Sequence, residues 1–88
     1  MMNRYRRVTD FRLEEIDGEL VLFDPGSAAI LYCNPTAGMI WRLCDGSRTR
    51  DDIVNMLSEA YPESAESINT DVDEALALYL KYNALATA

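Results

Sequence analysis

The stretch LYCNPTAGMIWRLCDG, residues 31–46, contains the change from strand to helix on which the prediction of the fold depends. Asn34 is a favoured N-cap, and Pro35 suits the first helical position because its missing N–H would have no partner there. Gly46 suits the left-handed conformation that follows many helices. Four apolar residues repeat at helical spacing between these signals: Ala37, Ile40, Trp41 and Cys44. We therefore predict a helix from Pro35 to about Cys44.

On the N-terminal side, the sequence predicts an antiparallel meander of three strands. Asp17-Gly18 separates two apolar segments and favours a type I′ hairpin turn, because both positions need positive φ. Pro25-Gly26-Ser27 favours the next turn. The three predicted strands cover residues 11–16, 19–24 and 28–33. The first eleven residues show no periodicity, so we predict a flexible N-terminal tail over residues 1–11 and a single domain over residues 12–88.

On the C-terminal side, the sequence predicts two more helices. Thr49 is a candidate N-cap with Asp52 at capping-box spacing, and Pro62 ends this second helix. The third helix begins near Ser64 or Ser67 and reaches Tyr82. Its apolar side chains cover more than one face, because Leu78 and Leu80 lie off the stripe formed by Ile68, Val72, Ala75, Leu76, Tyr79 and Tyr82. This order predicts an α+β fold of winged helix-turn-helix type, with a three-stranded antiparallel sheet followed by three helices.

Composition argues against several classes of function. The 88 residues include no His, so Ser–His and Cys–His nucleophilic chemistry has no base within the chain. Cys33 and Cys44 lack C-x-x-C spacing, and we expect both to be buried, reduced and without a metal. No apolar run reaches the roughly 18 residues of a membrane span, and no secretory signal is visible. We therefore expect a cytoplasmic protein that is not an enzyme, has no catalytic residue and carries no cofactor.

The charge is unevenly distributed. The net charge is −7, yet the first twelve residues carry four arginines and one acidic residue. The remaining chain, which is strongly acidic, would repel nucleic acid and suits a neutral or basic peptide better. The basic cluster Arg4-Tyr5-Arg6-Arg7 is expected to be solvated, with docking to an acidic partner enzyme as the alternative.

Residues 31–46 resemble the central signature of the PqqD-like family, in which a strand ends in an apolar residue and Asn and a helix follows that closes with Asp-Gly. Residues 47–54 resemble the start of that family's second helix. Asp71-Val72 with Leu76, and then Asn83-Ala84-Leu85, resemble its third helix and closing turn. The proline that follows Asn34 resembles the sequence of the lasso-peptide relatives at this point. Residues 24–26 are Asp-Pro-Gly, whereas the quinone-pathway member has Tyr-Pro-Glu there.

The resemblance implies a function. Such proteins, also called RiPP recognition elements, serve the synthesis of ribosomally made and post-translationally modified peptides, or of the cofactor pyrroloquinoline quinone. They bind the leader part of a precursor peptide as an extra strand beside the third strand, against the third helix. They present it to a modifying enzyme such as a radical-SAM enzyme, a protease or a cyclase.

The residues themselves agree with such a site. The third strand lies at an edge of the predicted meander and lacks the Lys, Pro or bulge that usually protects an edge. The third helix would form the wall of the groove. The predicted peptide-binding residues are Ala28, Ala29, Ile30, Leu31, Tyr32 and Cys33 on the strand and Ala75, Leu78, Tyr79 and Tyr82 on the helix.

Other interpretations stay open. The apolar strand could be covered on both faces, and Val72, Leu76 and Tyr79 could be core residues only. The same bare edge would also permit a homodimer. The alternative functions are a structural or regulatory protein-interaction domain and, less favoured, a winged-helix DNA-binding protein. Acidic Asp51, Asp52 and Glu59 on the would-be recognition helix oppose DNA binding.

Overall fold

The computed structural model describes residues 3–8 and 10–87, and within them six strands form two antiparallel sheets of three strands each. One sheet has the order β2-β3-β4 and the other has the order β5-β1-β6. The strands are β1 (Arg4–Arg7), β2 (Arg12–Ile16), β3 (Glu19–Asp24), β4 (Ala29–Cys33), β5 (Asp45–Thr49) and β6 (Leu85–Thr87).

The β2-β3-β4 sheet is the predicted meander. Asp17 and Gly18 have φ values of +52° and +83°, as the predicted hairpin turn requires. In the next turn the Asp24 carboxylate accepts hydrogen bonds from the Gly26 N–H at 2.9 Å and the Ser27 hydroxyl at 2.8 Å. Ala28 then takes a φ of +61° and leads into β4. Both turns are therefore local, which is why the sequence could predict them.

Three helices follow the predicted order: α1 (Pro35–Leu43), α2 (Arg50–Ala60) and α3 (Ala65–Lys81), with a short 3-10 turn at Pro62–Ser64. The Asn34 side chain accepts the Ala37 N–H at 2.7 Å, which confirms the predicted N-cap of α1. Thr49 and Asp52 form the predicted capping box at the start of α2. The α+β class is confirmed.

The prediction of a flexible N-terminal tail is wrong at Arg4–Arg7, because these residues form β1, the central strand of the second sheet. β1 pairs with β5 and β6, whose residues come from distant parts of the chain. Tyr5 and Val8 pack against the core. Local periodicity could not reveal a strand whose hydrogen bonds are all made with distant segments. Met1, Met2 and Thr9 of the predicted tail lie outside the described residues.

The core lies between the helices and the two sheets. Its largest fully buried side chains are Tyr79, Leu22, Ile40, Ile53, Val72 and Cys44. Burying one such aliphatic side chain is worth roughly 1.5–3 kcal/mol. α1 lies very close to the meander, because a Cβ added to Gly38 would lie 2.8 Å from Cδ1 of Leu20. Among the described residues, no helix has the length and apolar character needed to cross a bilayer.

Candidate functional site

β4 is an edge strand, as the order of the meander predicted. Its one strand neighbour among the described residues is β3, in a register that pairs Leu22 with Leu31 and Val21 with Tyr32. The other side of β4 therefore presents a row of backbone N–H and C=O groups without a strand partner. Such a row is a template on which another chain can add as a strand.

The side chains of β4 alternate between the core and solvent. Leu31 is buried in the core, whereas Ile30 and Tyr32 are 58% and 73% exposed on the outer face. The alternative in which this strand is covered on both faces is therefore excluded. An uncharged edge with exposed apolar side chains is a surface that usually contacts a partner.

A hollow of about 160 Å³ lies where the end of β4 meets the first turn of α1 and the middle of α3. Four of its lining residues come from α3 at positions i, i+3, i+4 and i+7, so they form one stripe along that helix. The lining residues are Tyr32, Asn34, Ala37, Asp71, Glu74, Ala75 and Leu78. We call this hollow and the open edge of β4 the edge groove.

A second hollow, of about 460 Å³, continues the edge groove toward the first hairpin. It shares Tyr32 and Asn34 with the smaller hollow and is otherwise formed by the start of β3 and by Cys33 and Pro35. Tyr32 therefore stands between two concave surfaces.

Tyr79 holds the three elements of the edge groove together. Its hydroxyl donates a hydrogen bond of 2.7 Å to the Ala37 carbonyl of α1 and lies 3.4 Å from Sγ of Cys33 in β4. The side chain is fully buried. Burial raises the pKa of Tyr79 well above its ordinary value, and the contact with Cys33 raises it further. The hydroxyl therefore stays protonated and acts as a donor that fixes α3 against α1 and β4.

The structure brings some of the predicted site residues together and separates others. Tyr32, Ala75 and Leu78 line the same hollow, although only a small part of Ala75 is exposed. Leu31 and Tyr79 face the core, so the core alternative describes Tyr79. The other predicted residues lie around the groove rather than in its smaller hollow: Ala28 in the preceding turn, Ala29, Ile30 and Cys33 along β4, and Tyr82 at the end of α3.

Four lining residues escaped the sequence prediction. Asp71 and Glu74 share a helical stripe with Ala75 and Leu78. That spacing was the available signal. Asn34 and Ala37 carry no such signal, because they reach the groove only through the packing of α1 against α3. Asp71 and Glu74 make no salt bridge with any described residue, so their charges face the groove.

The cysteines are placed for packing rather than reactivity. Cys44 is buried, and its thiol donates to the Ile40 carbonyl at 3.1 Å. Burial raises the pKa of Cys44 to about 12. A thiol in this state is a poor nucleophile at neutral pH. Cys33 is partly buried beside Tyr79.

These features define a small α+β domain in which the open, uncharged edge of β4 lies beside a helix-walled groove. Residues 19–84 match the family described as Coenzyme PQQ synthesis protein D (PqqD). This match spans more than half of the chain, and the chain belongs to the PqqD family. The predicted family resemblance is therefore confirmed.

A similar fold is found in a solved structure described as TbiB1 in complex with the TbiA(beta) leader peptide. The two chains superpose with a TM-score of 0.70 at 18% sequence identity, over 91% of this chain and 93% of that chain. At this level of identity the likeness concerns the fold. No curated protein matches the chain in sequence.

Proposed function

We propose that this protein binds the leader segment of a ribosomally made precursor peptide and presents it to a modifying enzyme. The observation that carries the proposal is the open edge of β4 beside the hollow between β4, α1 and α3. Membership in the PqqD family supports it. The leader peptide bound in the solved structure of similar fold supports it as well.

The binding mode that we propose is strand addition at β4. Backbone hydrogen bonds along the bare edge would provide affinity that does not depend on the leader's sequence. Alternate side chains of an added strand point to opposite faces, so one set would meet the hollow in front of Ala75 and Leu78. These pockets would provide specificity. The exposed ring of Tyr32 offers flat apolar area with a polar tip beside them.

The charge of the groove favours a neutral or basic leader. Asp71 and Glu74 line the hollow, and the chain as a whole carries a net charge of −7. Like-signed fields slow the association of an acidic peptide, whereas a basic one is attracted. We propose that these carboxylates steer the leader and that the backbone edge and Leu78 hold it.

The protein's proposed role is that of a carrier without catalytic chemistry of its own. The sequence has no His to act as a base, and the Cys44 thiol is buried and protonated. The modification is therefore assigned to a partner such as a radical-SAM enzyme, a protease or a cyclase, in the cytoplasm where the precursor is made.

Titration of the full-length, ¹⁵N-labelled protein with the leader peptide encoded beside it tests this proposal. We expect amide shifts concentrated in β4 and the Asp71–Leu78 stripe, with a Kd near micromolar or tighter, which corresponds to about −8 kcal/mol. Leu78→Lys is expected to weaken binding at least tenfold, since Leu78 is 39% exposed in the groove. Met56→Lys on α2, exposed to a similar extent outside the groove, is the matched control and should leave the affinity within about twofold.

Two results would contradict the proposal. Shifts that are absent at high peptide excess would exclude this leader as a ligand. Binding of the whole modifying enzyme, unchanged by Leu78→Lys and by the presence of the leader, would favour the protein-interaction domain instead.

A further inference from the structure

Five of the eight basic residues gather around the β1–β5 strand pair and the C-terminal end of α1. We call them the arginine patch: Arg4, Arg6, Arg7, Arg42 and Arg48. The patch lies on the β5-β1-β6 sheet, whereas the edge groove lies on the β2-β3-β4 sheet. It holds most of the basic residues of a protein that is otherwise strongly acidic, and one of them, Arg48, forms a salt bridge of 2.9 Å with Asp45.

Two members of the patch are fixed by the end of α1. The Arg7 guanidinium donates to the Arg42 carbonyl, and the Arg48 guanidinium donates to the Leu43 carbonyl at 3.1 Å. The Arg7 backbone N–H donates to the Cys44 carbonyl at 3.0 Å. The last carbonyls of a helix attract cations, so this part of the patch has a structural explanation.

Arg42 lies in the last turn of α1 and shares this explanation, whereas Arg4 and Arg6 do not. Arg4, Arg6 and Arg42 are exposed, and none of them forms a salt bridge with a residue in the described ranges. Arg4 and Arg6 are two positions apart on β1, so their side chains leave the same face of the sheet. Exposed guanidiniums that are not held in a salt bridge can bind carboxylates in bidentate geometry.

A hollow lined by both apolar and charged residues adjoins Arg6. It has a volume of about 210 Å³ and is lined by Arg6, Arg7, Val8, Phe11, Trp41, Cys44 and Asp45. The Arg7 guanidinium stands 5.6 Å from the centre of the Trp41 ring. The hollow therefore combines two arginines and the Asp45 carboxylate with the small exposed parts of Phe11 and Trp41, which are 7% and 8% exposed.

We propose that the arginine patch docks an acidic segment of a protein partner, and that one aromatic or aliphatic side chain of this segment enters the hollow. A segment that fits both the arginines and the hollow would have carboxylates on either side of an apolar residue. A nucleic acid fits less well, because a long polyanion would also meet the rest of a chain whose net charge is −7, whereas a short acidic segment would contact the patch alone. The leader would remain in the edge groove, so both partners could be held together.

A short synthetic acidic peptide with a central Phe is the probe. Titrated into the full-length labelled protein, it should shift amides of β1, β5 and the end of α1, and leave β4 unchanged. Arg4→Gln combined with Arg6→Gln should weaken its binding about tenfold or more. Arg12→Gln, a cation on the other sheet, should change it by less than about twofold. Replacing the peptide's Phe by Ser should weaken binding if the hollow is occupied.

Three results would overturn the proposal. The first is the absence of shifts at β1 and β5 at high peptide excess. The second is tighter binding of a single-stranded oligonucleotide to the same arginines, which would assign the patch to nucleic acid. The third is self-association in sedimentation that the Arg4/Arg6 double variant abolishes, which would assign it to a second copy. An unchanged spectrum and unchanged leader titration of the double variant distinguish a lost contact from a lost fold.

Discussion

The hydroxyl of Tyr79 contacts two elements of the edge groove, α1 through the Ala37 carbonyl and β4 through the Cys33 sulfur. Tyr79→Phe removes that hydroxyl and keeps the ring in place. The expected loss is about 1 kcal/mol in the free energy of unfolding, the usual net value of one hydrogen bond. Urea unfolding measures it.

Tyr82→Phe is the matched control for this residue. Tyr82 is half-exposed at the end of α3, and its hydroxyl makes no hydrogen bond with any described residue. Its removal should leave the urea midpoint unchanged. An equal loss in both variants would show that the Tyr79 hydroxyl does not tie these elements together.

At the scale of single residues, the sequence could predict which side chains are apolar but not which of them face the groove. Leu78 and Tyr79 are neighbours on α3; helical spacing placed Leu78 off the apolar stripe and allowed Tyr79 to face either the core or the groove. In the structure the Tyr79 side chain is buried in the core, whereas the Leu78 side chain is exposed in the groove. That choice depends on the rotation of α3 against α1, which is a tertiary property.

The start of α2 is an element whose stability rests on one local motif. The Thr49 hydroxyl accepts the Asp52 N–H at 3.2 Å, and the Asp52 carboxylate accepts the Thr49 N–H at 2.9 Å. Thr49→Ala removes the hydrogen bond that the Thr49 hydroxyl accepts and so breaks the capping box. It should lower the free energy of unfolding by about 1 kcal/mol. Hydrogen exchange at the first turn of α2 should accelerate with it.

Thr70→Ala provides the comparison, because Thr70 is an exposed residue within α3 and caps nothing. It should be neutral or slightly stabilising, since Ala is the better helix former. If Thr70→Ala lowered the free energy of unfolding as much as Thr49→Ala does, the effect would come from removing a threonine side chain in general rather than from losing the cap.

Elements with local signals were predicted well, and those held by distant contacts were missed. Asn34-Pro35 and the Thr49 capping box marked two helix starts, and Asp17-Gly18 marked a hairpin. β5 contains Asp45 and Gly46, which are residues typical of turns. It is a strand only because β1 pairs with it from a distant part of the chain. No window of sequence around β5 contains that information.

At the scale of the whole molecule, four aspartate carboxyl groups among the described residues have a pKa below the ordinary Asp value because they accept hydrogen bonds. Their principal donors are the Ser27 hydroxyl for Asp24, the Ser47 hydroxyl for Asp45, the Thr49 backbone N–H for Asp52 and the Arg50 guanidinium for Asp73. A lowered pKa stabilises the folded state above the unfolded value of about 3.9, and this contribution disappears as the pH falls through the folded value. Stability should therefore decrease as the pH is lowered from about 5 to 2.

In the combined variant Asp45→Asn/Asp52→Asn, the free energy of unfolding should change less with pH between about pH 5 and 2 than it does in the wild type. Its difference from the wild type should be largest at neutral pH and should vanish near the acid end. Glu59→Gln serves as the control, because Glu59 is exposed and no described side-chain hydrogen bond engages it. A wild-type slope in the double variant would contradict this assignment.

The two outer strands of the meander are protected very differently. β2 carries Arg12, Glu14 and Glu15, whereas β4 carries no charge. Charges on one edge block the repeated stacking of copies into a fibril, so self-association through this sheet would stop at a closed pair joined at β4. If the leader adds at β4, such a pair and a loaded monomer exclude each other. The concentration of precursor would then determine which fraction of the protein is a free dimer and which fraction is a leader-bound monomer.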